Sequence, residues 1–302
     1  MGKFTIFFGI LVLALAISIF NLSRQTEDIS HIKYLPHEVT GNLNSNSMLV
    51  LLHGFPNSMR QWDNLKGGLE ADNLVLNVSY PNFSKEVTLK WGLELGDVVV
   101  LLKKTIELVE TNNSKEYKKT FIIHDWGSAI GFLFDLTYPG VIHDMVTLDI
   151  GIPLDQSIYA QLVTVTYQSY LASAFLIGGP IGDFMVRNFV KYLVPAIWGP
   201  NTEKLDDEFL TASIAYYYFH FIKKFVSLLK MFIPYVPSCP VAFIYGKSKN
   251  FMFHDKLWLD KIKDKKHTEI HEIADEGHWV NTKSKNNQFL TDLIKRRLNT
   301  IK

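Results

Sequence analysis

The chain has a single cysteine, Cys239, in 302 residues. That excludes an intramolecular disulfide and any cysteine-based metal cluster. Charge is nearly absent in the net, at +1, so no basic footprint for nucleic acid is present. There is no zinc-ligand spacing, no Walker loop, and no G-x-G-x-x-G after a strand, so the common nucleotide and zinc chemistries lack their motifs. No repeat with a period of 20–50 residues is evident, which excludes a solenoid or propeller. With 47% hydrophobic and 20% charged residues, the composition is that of an ordinary globular protein with one sizeable core.

One long apolar run is present, at the N-terminus. After Lys3, MGKFTIFFGILVLALAISIFNLSR is uncharged and almost wholly apolar from Phe4 to Phe20. It has no polar face, as a surface helix of a globular domain would. Its length lies between a signal-peptide core and a transmembrane helix. Residues 1–23 are expected to be a hydrophobic anchor or signal segment, and an uncleaved anchor is favoured. Lys3 and the amino terminus place the start in the cytoplasm and the body in a lumen or outside the cell, a bias that Arg24 weakens. The location expected is a membrane of the secretory pathway. Asn77-Val-Ser, Asn82-Phe-Ser and Asn112-Asn-Ser are sequons consistent with that side.

From residue 48 on, short apolar runs alternate with helical stretches. MLVLL (48–52), NLVLNVSY (73–80), TFII (120–123), MVTLDIG (145–151), PVAFIYG (240–246) and HTEIHEIAD (267–275) read as strands. Helices are expected from Leu89 to Val109, from Ser128 to Thr137 and from Gln288 to Leu298. Continuous apolar strands between helices indicate a mostly parallel sheet covered on both faces. Residues 152–237 break the alternation with a helical, aromatic block. The expected organisation is a core in two parts, 24–151 and 238–302, with 152–237 as a helical cap between two strands. Ligands of such sheets bind beyond the carboxyl ends of the strands.

Several polar motifs fall at those ends. His53-Gly54-Phe55-Pro56 follows the first run, His124-Asp125-Trp126-Gly127 follows TFII, Asp149 ends MVTLDIG, and Glu276-Gly277-His278-Trp279 follows the last strand. An Asp at a strand tip loses hydration, at a cost if it is unpaired. It is either a helix N-cap or a nucleophile on a sharp strand-to-helix turn. HGFP, HDWG and EGHW in this order resemble the α/β-hydrolase fold family over about residues 45–300, and within it the epoxide hydrolases and haloalkane dehalogenases.

The resemblance implies an enzyme without cofactor or metal. Asp125 would attack a carbon electrophile and form an ester. His278 would activate the water that hydrolyses it. The backbone N–H groups of Phe55 and Trp126 would form the oxyanion hole. The family's usual acid follows the strand PVAFIYG, where this chain reads Gly246-Lys247-Ser248-Lys249-Asn250. Asp149 is the expected substitute, as in some haloalkane dehalogenases, with Asp255 second. Epoxide hydrolases also carry two cap tyrosines that donate a proton to the epoxide oxygen. Tyr167 matches the first, and the second falls in Tyr216-Tyr217-Tyr218, with Tyr217 chosen.

The expected function is hydrolysis of an apolar epoxide, with a small-molecule substrate and the membrane as partners and no nucleic acid. Haloalkane dehalogenation ranks second, because those enzymes often carry Asn after His-Gly and this chain has Phe55. A catalytically silent membrane subunit is the non-enzymatic alternative, favoured by the missing acid after PVAFIYG. Oligomeric state is left open by the sequence.

Overall fold

The computed structural model describes residues 27–300, apart from 154–156, 200–204, 206–208, 233–234, 251 and 282. The N-terminal apolar run, expected as an anchor, lies outside the described residues. No described helix is long and apolar enough to cross a membrane.

Among the described residues, seven strands form one sheet in the order β1-β3-β2-β4-β5-β6-β7. They are β1 His37–Gly41, β2 Ser47–Leu52, β3 Leu74–Val78, β4 Lys118–His124, β5 Ile142–Leu148, β6 Val241–Gly246 and β7 Glu269–Ile273. Only β1 runs antiparallel, against β3; every other pairing is parallel. The unbroken apolar runs of the central strands follow from burial on both faces. Met48, Val50 and Leu52 of β2 enter one core, while Leu49 and Leu51 enter the other. Phe121 and Ile123 of β4 divide from Ile122 in the same way, as do Val241 and Phe243 of β6 from Ala242 and Ile244. Each fully buried aliphatic side chain contributes about 1.5–3 kcal/mol.

The first core is closed by α2 (Leu95–Asn112), α3 (Trp126–Thr137) and α8 (Lys256–Lys263), through Val98, Leu102, Ile130, Phe134, Trp258 and Ile262. The second is closed by α1 (Asp63–Gly67) and α9 (Ser284–Thr300), through Leu65, Leu290, Leu293 and Ile294. Helix α2 starts at Leu95, later than the sequence spacing suggests. The chain before it is held as a loop: Asn82 accepts from Leu89 N–H and donates to Leu89 C=O, and Gly92 takes φ +67°.

Between β5 and β6 the chain makes helices α4 (Ile158–Ile177), α5 (Gly179–Asn188), α6 (Val194–Trp198) and α7 (Tyr216–Phe232). A π-helical turn, Phe189–Leu193, joins α5 to α6. Helices α4 and α7 pack on each other over the carboxyl edge of the sheet, with Phe175 of α4 against Phe219 of α7. Tyr216 through Phe219 are all buried at this junction.

Candidate active site

Asp125 sits on the turn from β4 into α3 with φ +52° and ψ −122°, a strained conformation for a non-glycine residue. Two glycines make the turn fit. A Cβ on Gly127 would lie 2.2 Å from the Leu52 carbonyl oxygen, and one on Gly54 would lie 2.3 Å from Asp125 Cβ. Both distances are shorter than any tolerable contact, so HG at 53–54 and WG at 126–127 are spacing requirements of the elbow. The Asp125 side chain makes no capping hydrogen bond to α3. Its Oδ2 instead accepts from the Phe55 N–H at 2.7 Å, and the adjoining Trp126 amide helps hold the carboxylate's pKa low. Of the two amides named from the sequence, that of Phe55 bonds the carboxylate and that of Trp126 adjoins it.

The other oxygen, Oδ1, faces His278 Nε2 at 3.5 Å. His278 Nδ1–H donates to Asp149 Oδ2 at 2.7 Å. Asp149 lies just beyond β5 at φ +63°, and its own N–H donates to the Ile244 carbonyl of β6 at 2.7 Å. This backbone bond fixes the carboxylate under the His278 loop. Exposure separates the three groups: the Asp149 side chain is 0% exposed, that of His278 2% and that of Asp125 18%. Asp125 is the member open to a ligand.

Asp255 is elsewhere. Its Oδ1 accepts from the Trp258 N–H at 2.8 Å and caps α8.

The electrostatics follow from burial and these partners. Burial pushes Asp125 up, but the hydrogen bond and charge of His278, with the Trp126 N–H, hold it below the ordinary carboxylate value. Asp149 is also held low: burial opposes, and the Lys249 charge and the His278 hydrogen bond outweigh it. Burial lowers His278, yet its hydrogen bonds to Asp125 and Asp149 leave it above the usual imidazole value.

His53 and His124 support the turn. Burial lowers His53 to about 4, and its ring packs on Tyr80 and Phe83. His124, lowered to about 3 chiefly by burial, donates from Nε2 to the His278 carbonyl at 3.1 Å and accepts at Nδ1 from Gln61 at 2.8 Å. It braces the loop that carries His278.

Over Asp125 lies an aromatic wall. Tyr218 sits edge-on to Phe55 at 5.2 Å and to Trp126 at 5.2 Å. The Trp126 indole beside it partly offsets the effect of burial on the Tyr218 phenol. Tyr167 packs 6.1 Å from Tyr218 and 4.8 Å from Trp198. Burial raises both phenols, and the charge of Asp125 adds to each. Tyr217, the residue chosen from the sequence, lies one position back on α7. Its ring stacks on the Trp126 indole at 5.3 Å and packs on Tyr80 and Phe83, and burial with the neighbouring phenols raises it. Successive helix residues point about 100° apart, so α7 turns Tyr218 toward the carboxylate and Tyr217 into the core.

Three groups around the site escaped the sequence reading: Gln61, Trp198 and the pairing of Lys249 with Asp149. Lys249 carried a signal, as a lysine where a carboxylate is usual. Gln61 and Trp198 carried none. Among the described residues no cluster of three or more His, Cys, Asp or Glu is set to hold a metal ion.

No protein-family model matches the chain, and no curated protein matches it in sequence. Solved structures do match. A loop variant of the haloalkane dehalogenase DbeA from Bradyrhizobium elkanii superposes with a TM-score of 0.63 at 12% identity, covering 88% of this chain and 92% of that one. The epoxide hydrolase CorEH gives 0.63 at 18% identity, covering 88% and 95%. Epoxide hydrolase A from Mycobacterium thermoresistibile gives 0.60 at 15% identity, covering 86% and 94%. The likeness is one of fold: this chain has the α/β-hydrolase fold.

Proposed function

We propose that the protein is a hydrolase of apolar epoxides that works through an ester on Asp125. The observation that carries this reading is the division of labour on one carboxylate: Oδ2 is held by the Phe55 amide while Oδ1 faces His278 Nε2. Oδ1 attacks an epoxide carbon, and the C–O bond of the ring breaks. The ring oxygen takes a proton from Tyr167 or Tyr218, leaving a hydroxyalkyl ester with its carbonyl at Oδ2. His278 Nε2 then removes a proton from water, which adds to Cγ of the ester. The Phe55 and Trp126 amides hold the oxyanion that forms at Oδ2. Collapse releases the diol as the imidazolium returns its proton to the leaving alkoxide, and the proton left on the new Asp125 carboxyl passes to the tyrosinate, which restores the resting state. Asp149 holds the ring in the tautomer with a free Nε2 and offsets the imidazolium charge.

An oxygen leaving atom is favoured over a halide. Two phenols, Tyr167 and Tyr218, lie beside each other where the charge of Asp125 acts on both, and a phenol donates a proton where a halide needs none. The aromatic wall of Phe55, Trp126, Tyr167, Phe189, Trp198 and Tyr218 suits an apolar substrate. The reading includes residues 1–23 as a membrane anchor with the body on the lumenal or outer side. Protease protection of the full chain in sealed membranes checks that part.

The test of the chemistry is turnover of an aryl epoxide in water labelled with heavy oxygen. Diol formation with label entering Asp125 over repeated cycles is expected. His278→Gln should accumulate the alkyl ester on Asp125. Absence of both diol and adduct across a panel of epoxides would overturn the reading, and adducts from haloalkanes alone would replace it with dehalogenation.

A further inference from the structure

The carboxylate of Asp149 is shared. While Oδ2 accepts from His278, Oδ1 accepts from the Lys249 ammonium at 2.5 Å and from the Gly246 N–H at 3.1 Å. Lys249 also donates to the Gly246 carbonyl. Both side chains of this ion pair are 0% exposed. A buried lysine costs heavily in desolvation, and apolar side chains of like volume commonly replace buried ion pairs without loss. Its presence beside the acid that orients His278 therefore asks for a role beyond packing.

Two carboxylates flank the His278 ring, Asp125 on Nε2 and Asp149 on Nδ1. Both favour the imidazolium, and an imidazolium cannot act as a base. The other titratable groups nearby are His124, 4.4 Å from the His278 ring, and His254, coupled to Asp149. Burial keeps both neutral around pH 7, with values near 3 and 4, so neither offsets the negative charge. Lys249 alone among these groups brings a positive charge to the cluster.

We infer that Lys249 is a positioning residue: its ammonium pins Oδ1 of Asp149 so that Oδ2 meets His278, and cancels enough negative charge to leave His278 Nε2 available as a base near neutral pH. The inference deepens the hydrolase reading and rests on it for its meaning, although its central measurement needs no substrate. The device also explains the shift of the acid from the β6 loop to Asp149: the β6 loop supplies the counter-charge instead.

The experiment follows the His278 imidazole by NMR in the full chain, with labelled histidine and the signal assigned by its loss in His278→Gln. Lys249→Gln keeps an N–H donor and removes the charge, while Lys249→Met removes both. Each is expected to raise the apparent pKa of His278 by about one unit or more. Lys249→Arg should bring it back toward the parent value. In epoxide turnover, the acid limb of the ester-hydrolysis rate should move up with it, while ester formation changes little. An unmoved His278 pKa in a folded Lys249→Gln protein would reduce Lys249 to a structural strut and overturn the inference. Lys249→Arg, which keeps the buried charge, is the second arm: a His278 pKa raised by about a unit or more in that variant would also overturn the inference. A shifted pKa in a protein that turns over no epoxide would leave the Lys249 relationship standing and remove the epoxide reading alone.

Discussion

His278 Nδ1 and Asp149 Oδ2 meet at 2.7 Å from positions 129 residues apart in the chain. The whole cap and two strands of the sheet lie between them in sequence. The contact exists because β5 and β6 are neighbours in the sheet: Asp149 is tied by its N–H to β6, and the loop after β7 brings His278 back over that junction. Nδ1 is therefore the protonated nitrogen, and Nε2 faces Asp125.

Asp149→Asn should consequently lower epoxide turnover by about 10³-fold, because an amide can donate to Nδ1 and hold the wrong tautomer. Asp255→Asn should stay within about twofold in turnover, since Asp255 caps α8 while Asp149 holds the His278 ring. Asp255→Ala should cost about 1 kcal/mol in denaturant unfolding, the loss of an N-cap. Steady-state rates of the two Asn variants against one epoxide check the assignment. Equal losses would mean that Asp149 does not serve His278.

Tyr218→Phe and Tyr217→Phe separate the two faces of α7. Removing the Tyr218 hydroxyl should slow ester formation by about 10²-fold, the scale of a lost proton donor. Ester hydrolysis should change little, because its proton transfers run through His278. Tyr217→Phe keeps the ring that stacks on Trp126 and should leave both steps within a few-fold. Single-turnover measurement of the alkyl ester gives both rates at once.

The elements that could be read in the chain were those set by one-dimensional pattern. Both-face burial wrote MLVLL and PVAFIYG as continuous apolar runs, and the elbow's lack of space wrote glycine at 54 and 127. Asp125, Asp149, His278, Phe55 and Trp126 were placed because each follows a strand that such patterns reveal. The phase of α7 was illegible, since YYYF is apolar on every side and only packing against Trp126 decides which ring faces Asp125. The start of α2 was equally hidden: the apolar spacing continues back through Leu93 and Leu89, and the loop is imposed by the Asn82 side chain. Lys249 stood out only as a residue of the wrong charge, and its partner became known from the fold.

Acid should weaken the fold in a window set by buried imidazoles. His53, His124 and His254 are lowered from 6.5 to about 4, 3 and 4, each chiefly by burial. Their neutral forms support the folded state fully above pH 6.5, and that support is lost as pH falls toward their folded values. Asp125 and Asp149, lowered by their partners, extend the loss below the ordinary carboxylate range. His278, raised, contributes with the opposite sign, present below 6.5 and lost as pH rises through its folded value. Unfolding near pH 5 should thus take up about three protons from the buried imidazoles, with stability falling by roughly 1.4 kcal/mol per proton per pH unit. Urea unfolding at a series of pH values measures the slope. A flat profile from pH 6.5 to 4.5 would show that these rings ionise within the fold.

Arg297 gives a test of stability far from the chemistry. It reaches from α9 to the start of β5, where its Nε donates to Asp144 Oδ2 at 3.0 Å and its Nη2 to Oδ1. Its Nη1 donates to Glu269 and to the His267 carbonyl, both at 3.0 Å. Arg297 and Asp144 are each 2% exposed, so removing the guanidinium leaves a buried carboxylate without its cation. Burial already raises Asp144 above the ordinary carboxylate value despite Arg297. Arg297→Ala should cost about 3–5 kcal/mol at neutral pH. The cost should shrink as pH falls, because Asp144 without its partner takes up a proton and becomes neutral. Asp144→Asn in the Arg297→Met background should recover part of the loss, since the uncompensated charge is gone. Turnover per folded molecule should stay unchanged, because the pair lies at the amino ends of the strands and Asp125 at their carboxyl ends. Denaturant midpoints at pH 5 and 7 for the three variants check each step, and a cost independent of pH would show that the loss is one of packing rather than of charge.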